Sequence, residues 1–224
     1  MELFSDILTF IKEVFSQSDN CDLRCAIEHF ITAHQKLTYA LLMLIIFCET
    51  GLVVTPFLPG DSLLFASGMV IASTAALNIW LLILLLIIAA ILGDNVNYFI
   101  GKFLAKKGEG AKLFGVFTIR KDYLDRTHKY YEKHGGKTII MARFIPIVRT
   151  FAPFVAGVGN MQYSRYMTFC IIGAVLWVSS MSLAGYFLSS NEFVKAHFDH
   201  IVLAIIAVSV LPVVLGFIRS RKAK

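Results

Sequence analysis

The chain has 224 residues, 57% of them hydrophobic and 16% charged, with a formal net charge of +6 and a mean hydropathy of +0.71. That composition lies outside the range of ordinary soluble domains and sets nucleic acid aside as a partner. It reads as an integral membrane protein, in which each crossing takes about 20 apolar residues as a helix because the backbone must satisfy its own hydrogen bonds.

Residues 1–36 begin with "MELFSDILTFIKEVFSQSD", which has neither a basic leader nor a continuous apolar core and so does not read as a secretory signal. Leu3, Ile7, Phe10, Ile11, Val14 and Phe15 recur at helical spacing. This fits an amphipathic helix lying in the membrane interface, or one packed on the rest of the protein; both stay open. Cys21 and Cys25 have no ligand cluster near them, so no metal site is expected there. A disulfide between them requires an oxidising compartment. Cys48 and Cys170 fall in apolar stretches and are read as packing residues.

Residues 37–218 are expected to form a single membrane domain. From Leu37 to Pro56 the chain is apolar except for Glu49, as a full span or as the first arm of a hairpin. Ser62 to Leu92 carries no ionisable group and is too long for one span of ordinary tilt, and "ASTAALN" at Ala72 to Asn78 is a natural break. The split leaves an arm from Asp61 to about Ser73, too short to cross, and a span near 77–100. The first re-entrant hairpin is therefore placed near 49–73, turning at Pro56, Pro59 and Gly60. A loop over 101–137 follows. The pattern then returns, with a second re-entrant hairpin near 138–160 and a clean span near 166–188. A final span near 201–218 and a basic tail at 219–224 complete the chain.

Charge orients these segments. The 101–137 loop holds Lys102, Lys106, Lys107, Lys112, Arg120, Lys121, Arg126, Lys129, Lys133 and Lys137 against only four acids. By the positive-inside rule it is cytoplasmic, and the tail "RSRKAK" places the C-terminus there too. The expected fold is therefore all-α: two inverted repeats, each a re-entrant helical hairpin followed by a transmembrane helix, plus the N-terminal amphipathic helix and a C-terminal span. Proteins of that design bind substrate where broken helices meet near the midplane. Within the loop, "RKDYLDRTHKYYEKHGG" reads as a surface helix whose Tyr123, Thr127, Tyr130, Tyr131 and His134 share a face resting on anionic headgroups.

"MARFIPIVRTFAPFVAG", Met141 to Gly157, sets two arginines and two prolines in an apolar segment. On a straight helix Arg143 and Arg149 would stand roughly 120° apart. Pro146 and Pro153 remove backbone donors and favour a bend, and Gly157 adds freedom, so a hairpin can turn both guanidinium groups into one cavity. Arg143, close to Lys137, has the alternative of snorkelling to the interface. Arg149 has apolar sequence on both sides, where an arginine faces a partner or a watery cavity. Guanidinium is well shaped for phosphate or carboxylate. In "FCETGLVVTPFLPGDSLLF", Glu49 and Asp61 lie about 18 Å apart along a straight helix, and a turn over Pro56 to Gly60 would fold them together. Asp61 also reads as an N-cap, whereas Glu49 has no capping role and reads as a proton-exchanging carboxyl. Two acids and two arginines in facing hairpins suggest anion binding coupled to protons. Asp94, Asn97 and Tyr98 of "GDNVNYFIG" are secondary polar candidates, explained most simply by an interfacial belt; Gly93, Asn97 and Gly101 suit the close approach of another helix.

"ETGLVVTPFLPGDSLLFASG", "GDNVNYFIG", "YYEKHGGKTIIMARFIPIVRTFAPFVAGVGNM" and "GAVLWV" closely resemble the DedA family of bacterial inner-membrane proteins, over nearly the whole chain. The resemblance implies two facing re-entrant hairpins, each packed with a membrane-spanning helix. It also implies a role in returning undecaprenyl phosphate across the cytoplasmic membrane, in maintaining proton motive force and in antimicrobial resistance. The family's essential acids fall on Glu49 and Asp61 and its essential arginines on Arg143 and Arg149. The expected protein is a flippase rather than an enzyme, with no cofactor; its partners are membrane lipids, a polyprenyl phosphate and protons, and a homo-oligomer is left open. Rival readings are a proton-coupled exporter of small cations or drugs, a broader phospholipid scramblase, and an intramembrane phosphatase, for which no nucleophile paired with a base is evident.

Overall fold

A computed structural model describes residues 31–51, 60–74, 77–106, 112–113, 117–118, 136–189 and 191. Expectations for the N-terminal amphipathic helix, Cys21 and Cys25, Pro56 and Pro59, the basic surface helix, the span at 201–218 and the tail lie outside the described residues.

Six helices carry the described chain: α1 (Gln35–Gly51), α2 (Gly60–Thr74), α3 (Ile79–Lys106), α4 (Lys137–Ala142), α5 (Pro146–Val158) and α6 (Tyr163–Leu188). The strands among the described residues form a two-residue antiparallel pairing of β1 (Lys112–Leu113) with β2 (Phe117–Thr118), Lys112 opposite Thr118. α3 and α6 are long and apolar enough to cross a membrane, while α2 is a shorter apolar helix. α3 runs six residues past the expected end at 100, continuing through Gly101 to Lys106.

The exterior of α3 shows which solvent it is built for. Trp80, Leu84, Ile88, Leu92, Val96, Phe99 and Phe103 recur every three or four residues and are all exposed, Trp80 at 68%. The opposite face buries Asp94, Asn97 and Tyr98 among Leu86, Ala89 and Ala90. An apolar outside over a partly polar inside reverses the pattern of a soluble helix and suits a lipid surrounding. α6 repeats it, with Ile171, Ile172, Val175 and Leu176 outside and Tyr166, Cys170, Ala174 and Trp177 inside.

The described residues form two compact units. The first comprises the described parts of Met1–Leu41, Asp61–Leu82 and Met181–Lys224. In it, α2 meets the end of α6 through glycines: a side chain on Gly68 would strike the Ser182 carbonyl, and one on Gly185 the Phe65 carbonyl. Asn78 caps α3, its Oδ1 accepting from the backbone N–H groups of Trp80 (2.9 Å) and Leu81 (3.2 Å).

The second unit comprises the described parts of Leu42–Gly60 and Ile83–Ser180. Here α4 and α5 are joined by a turn over residues 143–145. Pro146 takes the first position of α5, where its missing N–H costs nothing, and Ile145 before it is extended, the conformation that a following proline favours. Two of the expected turn-makers act elsewhere. α5 continues through Pro153. Gly157 lies within the helix, where a Cβ would strike the Tyr98 carbonyl of α3, so it serves close helix packing. The chain turns after α5 at Asn160, the described non-glycine residue with positive φ (53°), a conformation asparagine tolerates.

Candidate functional site

Asn97 holds the frame of the site. From α3 its Nδ2 donates to the Thr50 carbonyl of α1 (3.2 Å) and to the Thr150 carbonyl of α5 (2.7 Å). Thr50 lies in the last turn of α1, where carbonyls have no partner in their own helix. Two glycines admit these helices to α3. A Cβ on Gly93 would meet Thr50 and Gly51, and one on Gly101 would strike the Phe154 carbonyl. The Gly93, Asn97, Gly101 stripe therefore brings helices together, as its spacing suggests. Tyr98 continues the frame toward α6: it stacks on Tyr166 with ring centroids 4.3 Å apart and donates to the Met161 carbonyl at 2.5 Å.

Inside this frame lie two buried ion pairs. Arg149 on α5 donates through Nη2 to Glu49 Oε1 of α1 at 2.5 Å. The same guanidinium lies over the Trp177 ring of α6, its central carbon 4.4 Å from the ring centroid. Glu49 is 1% exposed and Arg149 4%. Glu49 Oε1 also accepts from the backbone N–H of Gly60, the first residue of α2, at 3.2 Å. A side chain on Gly60 would collide with the Glu49 carboxylate. Glu49 thus supplies a helix-start contact that its sequence position, on another helix, gives no hint of. Gly60 is a seat for Glu49.

Arg143, at the C-terminal end of α4, pairs with Asp94 of α3. Its Nη2 also approaches the Cys170 carbonyl (3.2 Å) and Sγ (3.4 Å) of α6. Arg143 is 3% exposed and Asp94 2%, so the interfacial alternatives for both give way to burial: α3 continues about 18 Å beyond Asp94, which therefore stands well inside the helix rather than at its end. Asp94 is fixed in turn by Tyr166, whose hydroxyl donates to its backbone carbonyl at 2.9 Å. Gly173 on α6 provides the space for Arg143, since a Cβ there would lie 2.7 Å from Arg143 Cδ and 2.8 Å from Nε.

The arrangement differs from a joint arginine clamp faced by Glu49 and Asp61. Each arginine has its own carboxylate on a separate helix. Asp61 stands one residue inside α2, in its first turn, where a negative charge suits the helix dipole, rather than before it as an N-cap. Sequence reasoning missed two contributors, Trp177 and Gly173, whose roles are contact and space, and it ranked Asp94 only as a secondary polar candidate, because the place of Asp94 within the helix shows only once α3 is known to continue past it. Among the described residues no group of three His, Cys, Asp or Glu side chains is placed to hold a metal ion.

A helical body with apolar outer faces and ion pairs sealed inside defines a polytopic membrane protein with an internal charged site. Residues 58–187 match the VTT domain. The chain is 52% identical over 189 residues to Protein DedA of Escherichia coli K12, covering 83% of this chain and 84% of that one. It is 42% identical to an uncharacterized membrane protein of Mycobacterium tuberculosis, covering 82% and 80%, and 32% identical to the inner membrane protein YqjA of E. coli K12, covering 82% of each. No solved structure matches it. The chain belongs to the DedA family of VTT-domain membrane proteins, and its place is a bacterial membrane.

Proposed function

We propose that this protein is a transporter that returns undecaprenyl phosphate across the cytoplasmic membrane, coupled to protons and without chemical conversion of the lipid. The observation that carries this reading is the burial of Arg143 and Arg149, each against its own carboxylate, in a body with a lipid-compatible exterior. Buried guanidinium is costly unless it serves a partner, and it is suited to phosphate. The polyprenyl chain stays in lipid along the apolar outer faces while the phosphate enters between the helices and meets the arginines. Glu49 and Asp61 take up protons; a neutral Glu49 releases Arg149 to the phosphate.

The same reading gives the segments around 49–73 and 138–160 re-entrant paths, relates the two halves as inverted repeats and places the C-terminus in the cytoplasm. A cation exporter is the less favoured alternative, because Glu49 and Asp94 are each already matched by an arginine. The test is binding of undecaprenyl phosphate to purified protein, with undecaprenol and phosphatidylglycerol as controls, in wild type and in the Arg143→Ala, Arg149→Ala double variant. Phosphate-dependent binding that the double variant loses is expected. Equal binding of all three lipids would sink the reading.

A further inference from the structure

Asp94 has no part in the acid pair inferred from sequence, yet its geometry gives it one. It meets Arg143 through a single oxygen, Oδ2, on a single guanidinium nitrogen, Nη2. The other two nitrogens of Arg143, Nε and Nη1, are buried and have no hydrogen-bond partner among the described residues. Buried donors are ordinarily satisfied, and a guanidinium offers five N–H groups. Arg143 thus has donor capacity that Asp94 does not use and that a phosphate, with three terminal oxygens, does. Gly173 keeps the space beside Nε and Cδ clear of a side chain.

Charge points the same way. The groups facing Asp94 are Arg143 from the α4–α5 turn, Arg149 from α5, and Cys170 and Tyr166 from α6; Cys170 Sγ donates to Asp94 Oδ2 at 3.4 Å. With Glu49 opposite Arg149, the two arginines and two carboxylates sum to zero. Adding an anionic phosphate to a sealed neutral cluster leaves excess negative charge unless a carboxylate is neutralised or leaves, and in low dielectric that excess is costly.

We propose that Asp94 is an internal counter-anion: it holds Arg143 in the empty state, and phosphate takes Arg143 when Asp94 accepts a proton. This rests on the transport reading above and deepens it. Asp94 becomes a positioning residue for Arg143 and a second proton carrier beside Glu49, so that each arginine is released by one proton. A phosphomonoester dianion is then balanced by two protons and a monoanion by one.

The experiment is calorimetric binding of undecaprenyl phosphate to the full-length protein in weakly buffered detergent, reading affinity and proton uptake together from pH 6 to 8. The Asp94→Asn variant, which mimics the neutral acid, is expected to bind roughly tenfold tighter at the alkaline end, because a competing charge-assisted bond is gone. It is also expected to take up one proton fewer and to show a flatter pH profile. A merely structural Asp94 would weaken binding on substitution instead. Unchanged or weaker affinity with an unchanged proton count would overturn the proposal. If Asp94→Asn does not fold, wild type still decides, since phosphate lipid bound with no proton taken up is equally fatal. Proton uptake with inorganic phosphate as well would support the same role for Asp94 with a free anion as the source. Wild type that binds undecaprenyl phosphate no better than undecaprenol defeats the transport reading itself, a separate result.

Discussion

Arg149 is held between opposites: the Glu49 carboxylate 2.5 Å from its Nη2 and the face of Trp177 4.4 Å from its central carbon. The ring fixes the plane of the guanidinium and the carboxylate fixes its direction, so the fork is aimed before any ligand arrives. Arg149→Lys keeps the charge but loses the planar fork and its stacking. We expect it to lose most lipid transport in reconstituted vesicles; wild-type rates would refute the assignment.

Trp177 should matter through the same contact. A cation over an indole contributes about 0.5–2 kcal/mol, and phenylalanine keeps part of it where leucine keeps none. Trp177→Leu should therefore reduce phosphate-lipid affinity several-fold and Trp177→Phe less. Equal affinity in the two variants, measured by titration, would show that the ring serves only to fill space.

Gly173 is expected to act on the site through Arg143 alone. Alanine there places a methyl group within 3 Å of Arg143 Cδ and Nε, and overpacking of this kind costs about 1–3 kcal/mol. In an Arg143→Ala background the same change should cost almost nothing. Thermal unfolding of the four proteins in the double-mutant cycle measures the coupling, and additive effects would place the strain elsewhere.

Asn97 joins three helices with one amide group, so its loss should be felt as stability before it is felt as transport. Asn97→Ala removes both bonds and should destabilise by about 2 kcal/mol. Asn97→Asp should be worse, since it sets a carboxylate oxygen against two carbonyls. An Asn97→Asp protein that melts with the wild type would contradict this frame.

Asp61 separates a structural from a functional role. Asparagine at the start of α2 removes the ionisable group and gives up only the charge–dipole contribution, about 0.3–1 kcal/mol. Asp61→Asn should fold normally and transport with a weakened dependence on external pH. An unchanged pH–rate curve would confine Asp61 to its helix.

The sequence made the helical class legible because the apolar runs are long and their interruptions are proline, glycine and asparagine, residues whose backbone effects are local. It also marked Glu49, Arg143 and Arg149 as anomalies, since charge in an apolar run needs a partner. What it did not make legible was the partnering. Asp94 and Arg143 are 49 residues apart, and Glu49 and Arg149 are 100 apart; such pairing is decided by which helices pack together. That packing depends on glycines at 93, 101 and 157; the spacing of Gly93 and Gly101 marks a close approach, but not which helix makes it. Asp94 was misplaced for a related reason. A polar cluster near the end of an apolar run resembles an interface when the helix beyond it cannot be seen to continue.

The same separations set an order of events during synthesis. Chains grow at about 5–20 residues per second, so Asp94 emerges several seconds before Arg143 exists, and Glu49 waits about twice as long for Arg149. During that interval each acid travels with its helix while the base that will neutralise it is still unmade. The insertion machinery therefore handles two uncompensated carboxyl groups early, and the segment that carries both arginines neutralises them late, with only α6 among the described helices still to come.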